Sequence, residues 1–272
     1  MAGAGGPAHH GWMLSAAQLS EFERDGIVKV PGAFGAGDAA RMRDVLWAEL
    51  AKRHGMERDD RSTWTTLRPT GLKTTKKHSV ADAILGPPLR SVLDHLLGSW
   101  TEPPHQGQVL VTMPMAETWS VPHRQWHTDV GFDLPADELV AVKIWALLTD
   151  LEPGGGGTPQ VAGSHRVIAR HLSKTSEREL TTVRDQVLCS HPWFLNLTSA
   201  KTDGRSTRLM TEADLDGLPV RVVELTGAAG DVYLTHPWIL HSIAPNANDT
   251  PRMMRSRFIW KTGPPATRAP EE

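Results

Sequence analysis

Two histidines, an aspartate and an arginine are the residues of this 272-residue chain whose types and spacing could do chemistry. In Gln125-Trp126-His127-Thr128-Asp129, His127 and Asp129 stand two residues apart, the offset that puts both side chains on one face of a strand, where two ligands can chelate one metal ion. Such a pair also arises by chance in a chain with 13 histidines, so a third residue is needed. It comes near the far end, where Gly230-Asp231 leads to His236 and His241, and Pro251-Arg252 follows. Two histidines, a carboxylate and open coordination positions form the facial triad of non-haem Fe(II) chemistry. The arginine adds what an acidic cosubstrate needs, because a planar guanidinium grips a carboxylate bidentately and stays charged. A dicarboxylic 2-oxoacid satisfies both metal and arginine.

Further residues extend the pattern. Trp145 lies 18 residues after His127, the turn Pro153 to Thr158 holds four consecutive glycines and runs toward Gly163-Ser164-His165-Arg166, and Arg252 follows His241 by 11 residues. In this order and spacing the chain resembles the phytanoyl-CoA dioxygenase family of Fe(II)/2-oxoglutarate-dependent oxygenases, over roughly residues 14–260. The resemblance implies a double-stranded β-helix, a cupin-like jelly roll, with N-terminal helices against its larger sheet. It implies that His127, Asp129 and His241 hold Fe(II), that Arg252 binds the distal carboxylate of 2-oxoglutarate, and that O2 is consumed with release of succinate and CO2. Related halogenases lack the carboxylate that Asp129 supplies, so hydroxylation, desaturation or ring chemistry is expected and halogenation is not. Some relatives place a serine two residues after the distal histidine, to help bind the cosubstrate; here that position is Ile243, with Ser242 one place off.

Several residues compete for these roles. His236 is the rival of His241, at an odd offset that reverses the face of an unbroken strand, although Pro237 weakens that inference. Arg255 and Arg257 compete with Arg252. They share a strand face with Met253 and Ile259, and two arginines on one face read as solvated surface, whereas Arg252 stands alone among less charged neighbours. In Val140 to Thr149, Val142, Ile144, Ala146 and Leu148 form an apolar face that should pack on helices. The opposite face points Lys143 and Trp145 into the barrel: Lys143 toward a substrate or cosubstrate carboxylate, or else to a solvated rim, and Trp145 as cosubstrate wall or packing. Gln125 shares the expected face of His127 and Asp129, where it would orient a ligand or fill core. The glycines at 154–157 lack a following Lys-Ser or Lys-Thr and are turn glycines, not a phosphate loop. His165 reads as a structural turn residue, and Trp119, Trp126, Trp193 and Trp238 near the expected mouth suit an apolar substrate.

The elements that must position these residues follow from periodicity. Ser15 and Gln18 form a capping box for a helix with Leu14, Leu19 and Phe22 on one face, stopped by Gly26. A short strand at 27–30 ends at Pro31, and Asp38 caps a helix to about His54. Residues 81–97 read as a helix interrupted by Pro87 and Pro88. From 108 onward the period changes to 2, with strands at 109–113, 125–132, 139–151, 158–161, 220–225, 231–235 and 253–261. The fold class is mainly β with flanking helices, in a jelly roll. Residues 14–262 form one domain, residues 170–218 are a polar insertion placed as a lid, and 1–13 and 263–272 are a disordered arm and tail.

Composition excludes other classes. A formal charge of -2 leaves no footprint for nucleic acid or anionic membrane, and no apolar run is long enough to span a bilayer. The single cysteine, Cys189, rules out an intrachain disulfide and cysteine-based metal sites and suits a reducing cytoplasm. A small-molecule substrate is expected and no obligate protein partner is evident. The rival readings are a non-catalytic jelly-roll binding protein, a zinc hydrolase that leaves Arg252 without a role, and an acyl-CoA hydroxylase for which Lys73, Lys76 and Lys77 offer a basic patch.

Overall fold

The computed structural model describes residues 13–72, 75, 78–105, 107–201 and 203–263. The expected arm and tail lie outside the described residues except for Met13 and Gly263, as do Lys73, Lys76 and Lys77.

Local chemistry sets the N-terminal elements. The Ser15 hydroxyl accepts from Gln18 N and the Ser15 N–H donates back to Gln18 Oε1 at 3.0 Å, which starts α1 (Ala16–Asp25) with a complete capping box. Gly26 ends it in the left-handed region, φ 70°, at a spot where an added Cβ would lie 2.5 Å from the His165 ring. After β1 (Ile27–Val30), α2 (Ala36–His54) begins behind Gly35, two residues before the expected cap. Asp38 sits instead in the first turn, where its charge meets the positive helix end and the Arg41 guanidinium. The helix expected over 81–97 is two elements, a 3-10 segment Ser79–Leu85 and α3 (Pro87–Leu97). Pro87 and Pro88 start α3, since the first turn uses no proline N–H, and do not interrupt a longer helix.

The strands are β2 (Gln108–Thr112), β3 (Ala141–Leu147), β4 (Pro159–Ala162), β5 (Ala213–Asp214), β6 (Pro219–Glu224), β7 (Val232–Thr235) and β8 (Arg252–Trp260). They pair antiparallel in two sheets, β1-β7-β3-β8-β2 and β4-β6-β5, so the antiparallel jelly-roll expectation holds. Helices hold about 34% of the described residues and strands about 19%, with the sheets at the centre and helices as most of their cover. On the outer face of the larger sheet, Val142, Ile144 and Ala146 of β3 pack with Phe22, Met42, Leu46 and Leu89, the arrangement the alternating apolar face of β3 predicts. Between the sheets Trp145, Leu147, Ala162, Tyr233 and Met254 form an interior cluster.

One expectation fails here, and one stretch read only as a polar insertion proves to have regular structure. The stretch at 170–218 is helical: α4 (Ser164–Leu172) runs into it, and α5 (Leu180–Cys189), α6 (Pro192–Thr198) and α7 (Arg205–Met210) follow. Each is too short to show a strong period, yet Val183, Val187, Phe194 and Leu197 form a core with Val220 and Val222 of the smaller sheet. Arg255 and Arg257 do face away from the interior, but they are 1% and 7% exposed and not solvated. Loops close over that face of the sheet, and the two guanidinium groups donate to Thr75 O at 2.8 Å and His105 O at 2.7 Å.

His165 lies in the first turn of α4 under Gly26, its ring 4.8 Å from that of His236. Burial pushes His165 down to about 4 and His236 down to about 3 from an ordinary 6.5, the second helped by the first. Folded protein therefore binds fewer protons than unfolded protein between these values and pH 6.5, and stability falls as pH drops through that window. Each histidine contributes a slope of up to about 1.4 kcal/mol per pH unit. Urea unfolding from pH 7 to 4.5 should show this acid loss in the wild type and a shallower slope in His236→Gln; equal slopes would refute the assignment.

Candidate active site

The segment carrying His127 and Asp129 is not the strand its alternation predicts. Gln125 sits in the left-handed region, φ 62°, and pairing over 125–132 reduces to one antiparallel bridge between His127 and His241. In that bridge each backbone N–H donates to the other residue's carbonyl at 3.0 Å. Directly opposed residues share a face, so the two imidazoles point the same way, ring centroids 4.4 Å apart. The Gln125 side chain is exposed and does not share this face; the residue serves through its carbonyl, 2.7 Å from His127 Nδ1. His241 Nδ1 repeats the arrangement on Ile239 O at 3.0 Å.

These contacts fix the tautomers. With Nδ1–H committed to a carbonyl on both rings, each Nε2 turns a lone pair toward the Asp129 carboxylate, His241 at 3.0 Å and His127 at 3.5 Å. Burial opposes ionisation of Asp129, but His127, His241 and Lys143 outweigh it and hold the carboxyl far below its ordinary range. Protonated, His127 donates Nε2–H to Asp129, which raises it, whereas burial lowers His241 and favours its neutral, lone-pair form. Three acceptor groups thus converge within 4.8 Å, an arrangement that calls for a cation among them. The Lys143 ammonium supplies part of that charge from β3: it is paired with Asp129, 4.1 Å from the Trp145 ring centroid, and lowered by its own burial. A divalent ion fits the donor set of two imidazoles and one carboxylate.

A cavity of about 420 Å³ opens over this cluster, bounded by Arg68 to Leu72, by β2 residues and by Thr158, Arg252 and Ser256. Arg252 is 5% exposed, and its guanidinium donates to Thr158 Oγ1 at 3.1 Å and Thr112 Oγ1 at 2.6 Å. Its buried Nε has no partner among the described residues, and burial lowers the group to about 10. A buried cation held only by neutral groups fits an arriving carboxylate.

Residues 22–254 match the phytanoyl-CoA dioxygenase (PhyH) family profile. The chain belongs to that family. It is thereby an enzyme of the Fe(II)/2-oxoglutarate-dependent oxygenase class. No curated protein matches the sequence at a significant level. Among solved structures, the carbocyclase SnoK from nogalamycin biosynthesis shares 20% identity at a TM-score of 0.54, over 91% of this chain and 84% of that one. HygX from Streptomyces hygroscopicus, solved with nickel and 2-oxoglutarate, shares 16% at a TM-score of 0.54, over 92% and 88%. EctD from S. alaskensis, solved with 2-oxoglutarate and 5-hydroxyectoine, shares 18% at a TM-score of 0.51, over 91% and 76%. At these identities the likeness is one of fold.

Within this PhyH-family fold the structure brings His127, Asp129, His241, Lys143, Trp145 and Arg252 together around one cavity. His236 is elsewhere, against His165, and its Nδ1 accepts from Trp238 N. Ser242 and Ile243 both reach the cavity wall, with the Ser242 hydroxyl donating to Arg124 O. Trp126, Trp193 and Trp238 are buried in the helical layer, Trp119 packs against it, and none of the four lines the cavity. Sequence reasoning did not single out Thr112, Thr158 as a ligand of Arg252, or Arg68 at the mouth; a hydroxyl on a neighbouring strand or on the other sheet leaves no periodic signal. It also missed Arg205. Among the described residues of 170–218 none lines the cavity, but buried Arg205 of α7 donates to the carbonyls of Val121 and Pro122, in the loop leading to His127.

Two outcomes follow. Lys143→Met removes a cation from the Asp129 carboxylate, so metal-free protein should bind Zn(II) about 3- to 10-fold more tightly by calorimetry; unchanged or weaker binding would contradict the competition. Arg205→Met strips the 121–122 carbonyls of their donor and should lose about 3 kcal/mol or more in urea unfolding, with weaker Zn(II) binding. Full metal affinity in a destabilised Arg205→Met would limit Arg205 to stability.

Proposed function

We propose that this chain uses Fe(II), O2 and 2-oxoglutarate to hydroxylate or desaturate an aliphatic C–H bond of a small organic metabolite, with His127, Asp129 and His241 as the iron ligands. The observation that carries the reading is the convergence of two tautomer-fixed Nε2 atoms and an ionised carboxylate at one end of a cavity, with the partly unpartnered Arg252 guanidinium lining the same cavity. Bound iron with 2-oxoglutarate and O2 supplies the oxidising power for an unactivated C–H bond, with succinate and CO2 as co-products.

The chain's own residues bind, orient and shield. Arg252, steadied by Thr158 and Thr112, takes the distal carboxylate of 2-oxoglutarate and so fixes which end of the cosubstrate faces the metal ligands. The Trp145 ring stands edge-on to His241, centroids 5.2 Å apart, and its Nε1 is tied to Thr235 Oγ1 at 3.0 Å, which makes it a rigid cosubstrate wall. Lys143, once a metal claims Asp129, is free to meet a carboxylate of cosubstrate or substrate. The loop Arg68 to Leu72 and β2 face the remaining space and exclude water when substrate fills it.

A free small metabolite is favoured over an acyl-CoA ester by the size of the cavity, about 420 Å³, with Arg68 as the basic residue of the described wall outside the cluster and Arg252. It is in keeping with EctD, whose structure holds 5-hydroxyectoine beside 2-oxoglutarate. The free, exposed Cys189 supports a reducing compartment such as the cytoplasm. No helix among the described residues is long and apolar enough to cross a membrane.

The reading is tested by anaerobic titration of metal-free protein with Fe(II) and 2-oxoglutarate, following the visible charge-transfer band of the chelate. The wild type should give the band, His241→Ala should lose it, and Arg252→Ala should need about 10- to 100-fold more 2-oxoglutarate to reach it. A folded protein that retains iron and gives no band would move the reading to a binding protein or a zinc hydrolase.

A further inference from the structure

Gln160 of β4 is 0% exposed, and neither Oε1 nor Nε2 of its amide has a hydrogen-bond partner among the described residues. An unpaired amide at full burial is disfavoured, and such groups persist in native proteins where a ligand, ion or water satisfies them.

Its place in the fold names that partner. Gln160 stands opposite His241 in an antiparallel bridge, on the side away from His127, so its side chain shares the face of both imidazoles with Cβ atoms about 5 Å apart. Its neighbours agree: Val161 turns into the helical-layer core, whereas Ala162, on the other face, joins the interior cluster with Trp145. Two residues before Gln160, Thr158 accepts from Arg252 Nη1 at 3.1 Å. An extended chain advances about 6.6 Å over two residues, comparable with the reach of a five-carbon diacid. Thr158 therefore lines the cavity at the guanidinium end, and Gln160, not itself part of the wall, sits against His241, which lines the metal-ligand end.

We infer that Gln160 is a cosubstrate-binding residue whose amide N–H donates to the 2-oxoglutarate carboxylate next to the metal, while Thr158 and Arg252 hold the distal one. The inference rests on the 2-oxoglutarate-dependent reading above. The contact requires the Gln160 side chain to turn toward the cavity, which an unpartnered amide can do without breaking a hydrogen bond.

The test uses Gln160→Met, which keeps the length and removes both polar atoms, and Gln160→Glu, which sets a carboxylate against a carboxylate. Calorimetry on Ni(II)-loaded protein reads 2-oxoglutarate affinity, the anaerobic Fe(II) charge-transfer band reads the geometry of the chelate, and Ni(II) affinity and ligand-free melting temperature serve as controls. Gln160→Met should weaken 2-oxoglutarate about 10- to 100-fold and shift the band, with Ni(II) affinity unchanged and melting at or above the wild-type temperature. Gln160→Glu should be weaker still. Wild-type affinity and an unshifted band in either variant would overturn the role of Gln160 and leave the dioxygenase reading standing. A wild type that binds Ni(II) or Fe(II) but no 2-oxoglutarate would overturn that reading and this one with it.

Discussion

The reciprocal hydrogen bonds between His127 and His241, 3.0 Å each, are the constraint on which the centre depends. They join two segments that have no ladder of their own and force two imidazoles onto one face. The bridge is itself anchored. Val161 N donates to Leu240 O at 2.8 Å, Ser242 N to Pro159 O at 3.0 Å, and Leu240 N to the Ser164 hydroxyl at 2.9 Å. The Gly163-Ser164-His165 run thus acts as a structural hub: Gly163 N meets Asp25 O, Ser164 holds the distal histidine segment, and His165 fills the space Gly26 leaves. A change in any of these reaches the proposed metal ligands through the backbone.

Charge divides the arginines of β8 by function. Arg255 and Arg257 are as deeply buried as Arg252, yet each reaches a loop carbonyl and so ties the outer face of the sheet to its cover. Arg252 has only hydroxyls, the Met254 sulfur at 3.5 Å and a bare Nε. Neutral hydroxyls do not balance a desolvated guanidinium, so a carboxylate that binds there gains nearly its whole charge-assisted hydrogen bond. Binding of metal and diacid to this cluster, as proposed, would therefore also be a folding term, since neither finds the assembled site in the unfolded chain.

The sequence was most legible where one residue type answers one local demand. The capping box at Ser15, the Gly26 stop, the β3 alternation and the inward Arg252 all follow from rules that act within a few residues. The convergence of His127, Asp129 and His241 was legible for another reason, because their residue types and spacing persist whatever backbone carries them. That backbone was misread: the alternation of Gln125 to Asp129 predicts a strand, but the left-handed Gln125 and a single bridge replace it. Arg255 and Arg257 were misplaced in solvent because charge alone does not reveal that loops from 75 and 105 fold over them. The helices between 172 and 210 escaped because each contributes only a few apolar residues to a core completed by the smaller sheet.

The helical layer and the cavity mouth do different work. Arg205 of α7 reaches the 121–122 carbonyls, and Trp126 of the ligand loop lies in the same core as Phe194 and Leu197, so this layer holds the proximal ligands from behind. The open side is bounded by Arg68 to Leu72 and by Gln108 to Val111, none of which belongs to the motifs that carry the metal chemistry. A fixed inner face with a variable outer wall lets one centre serve different substrates. On the proposed reading, the choice of substrate would rest on two wall segments whose sequences carry no motif, and Arg68, within electrostatic reach of Arg252, is the residue there with a charge to offer.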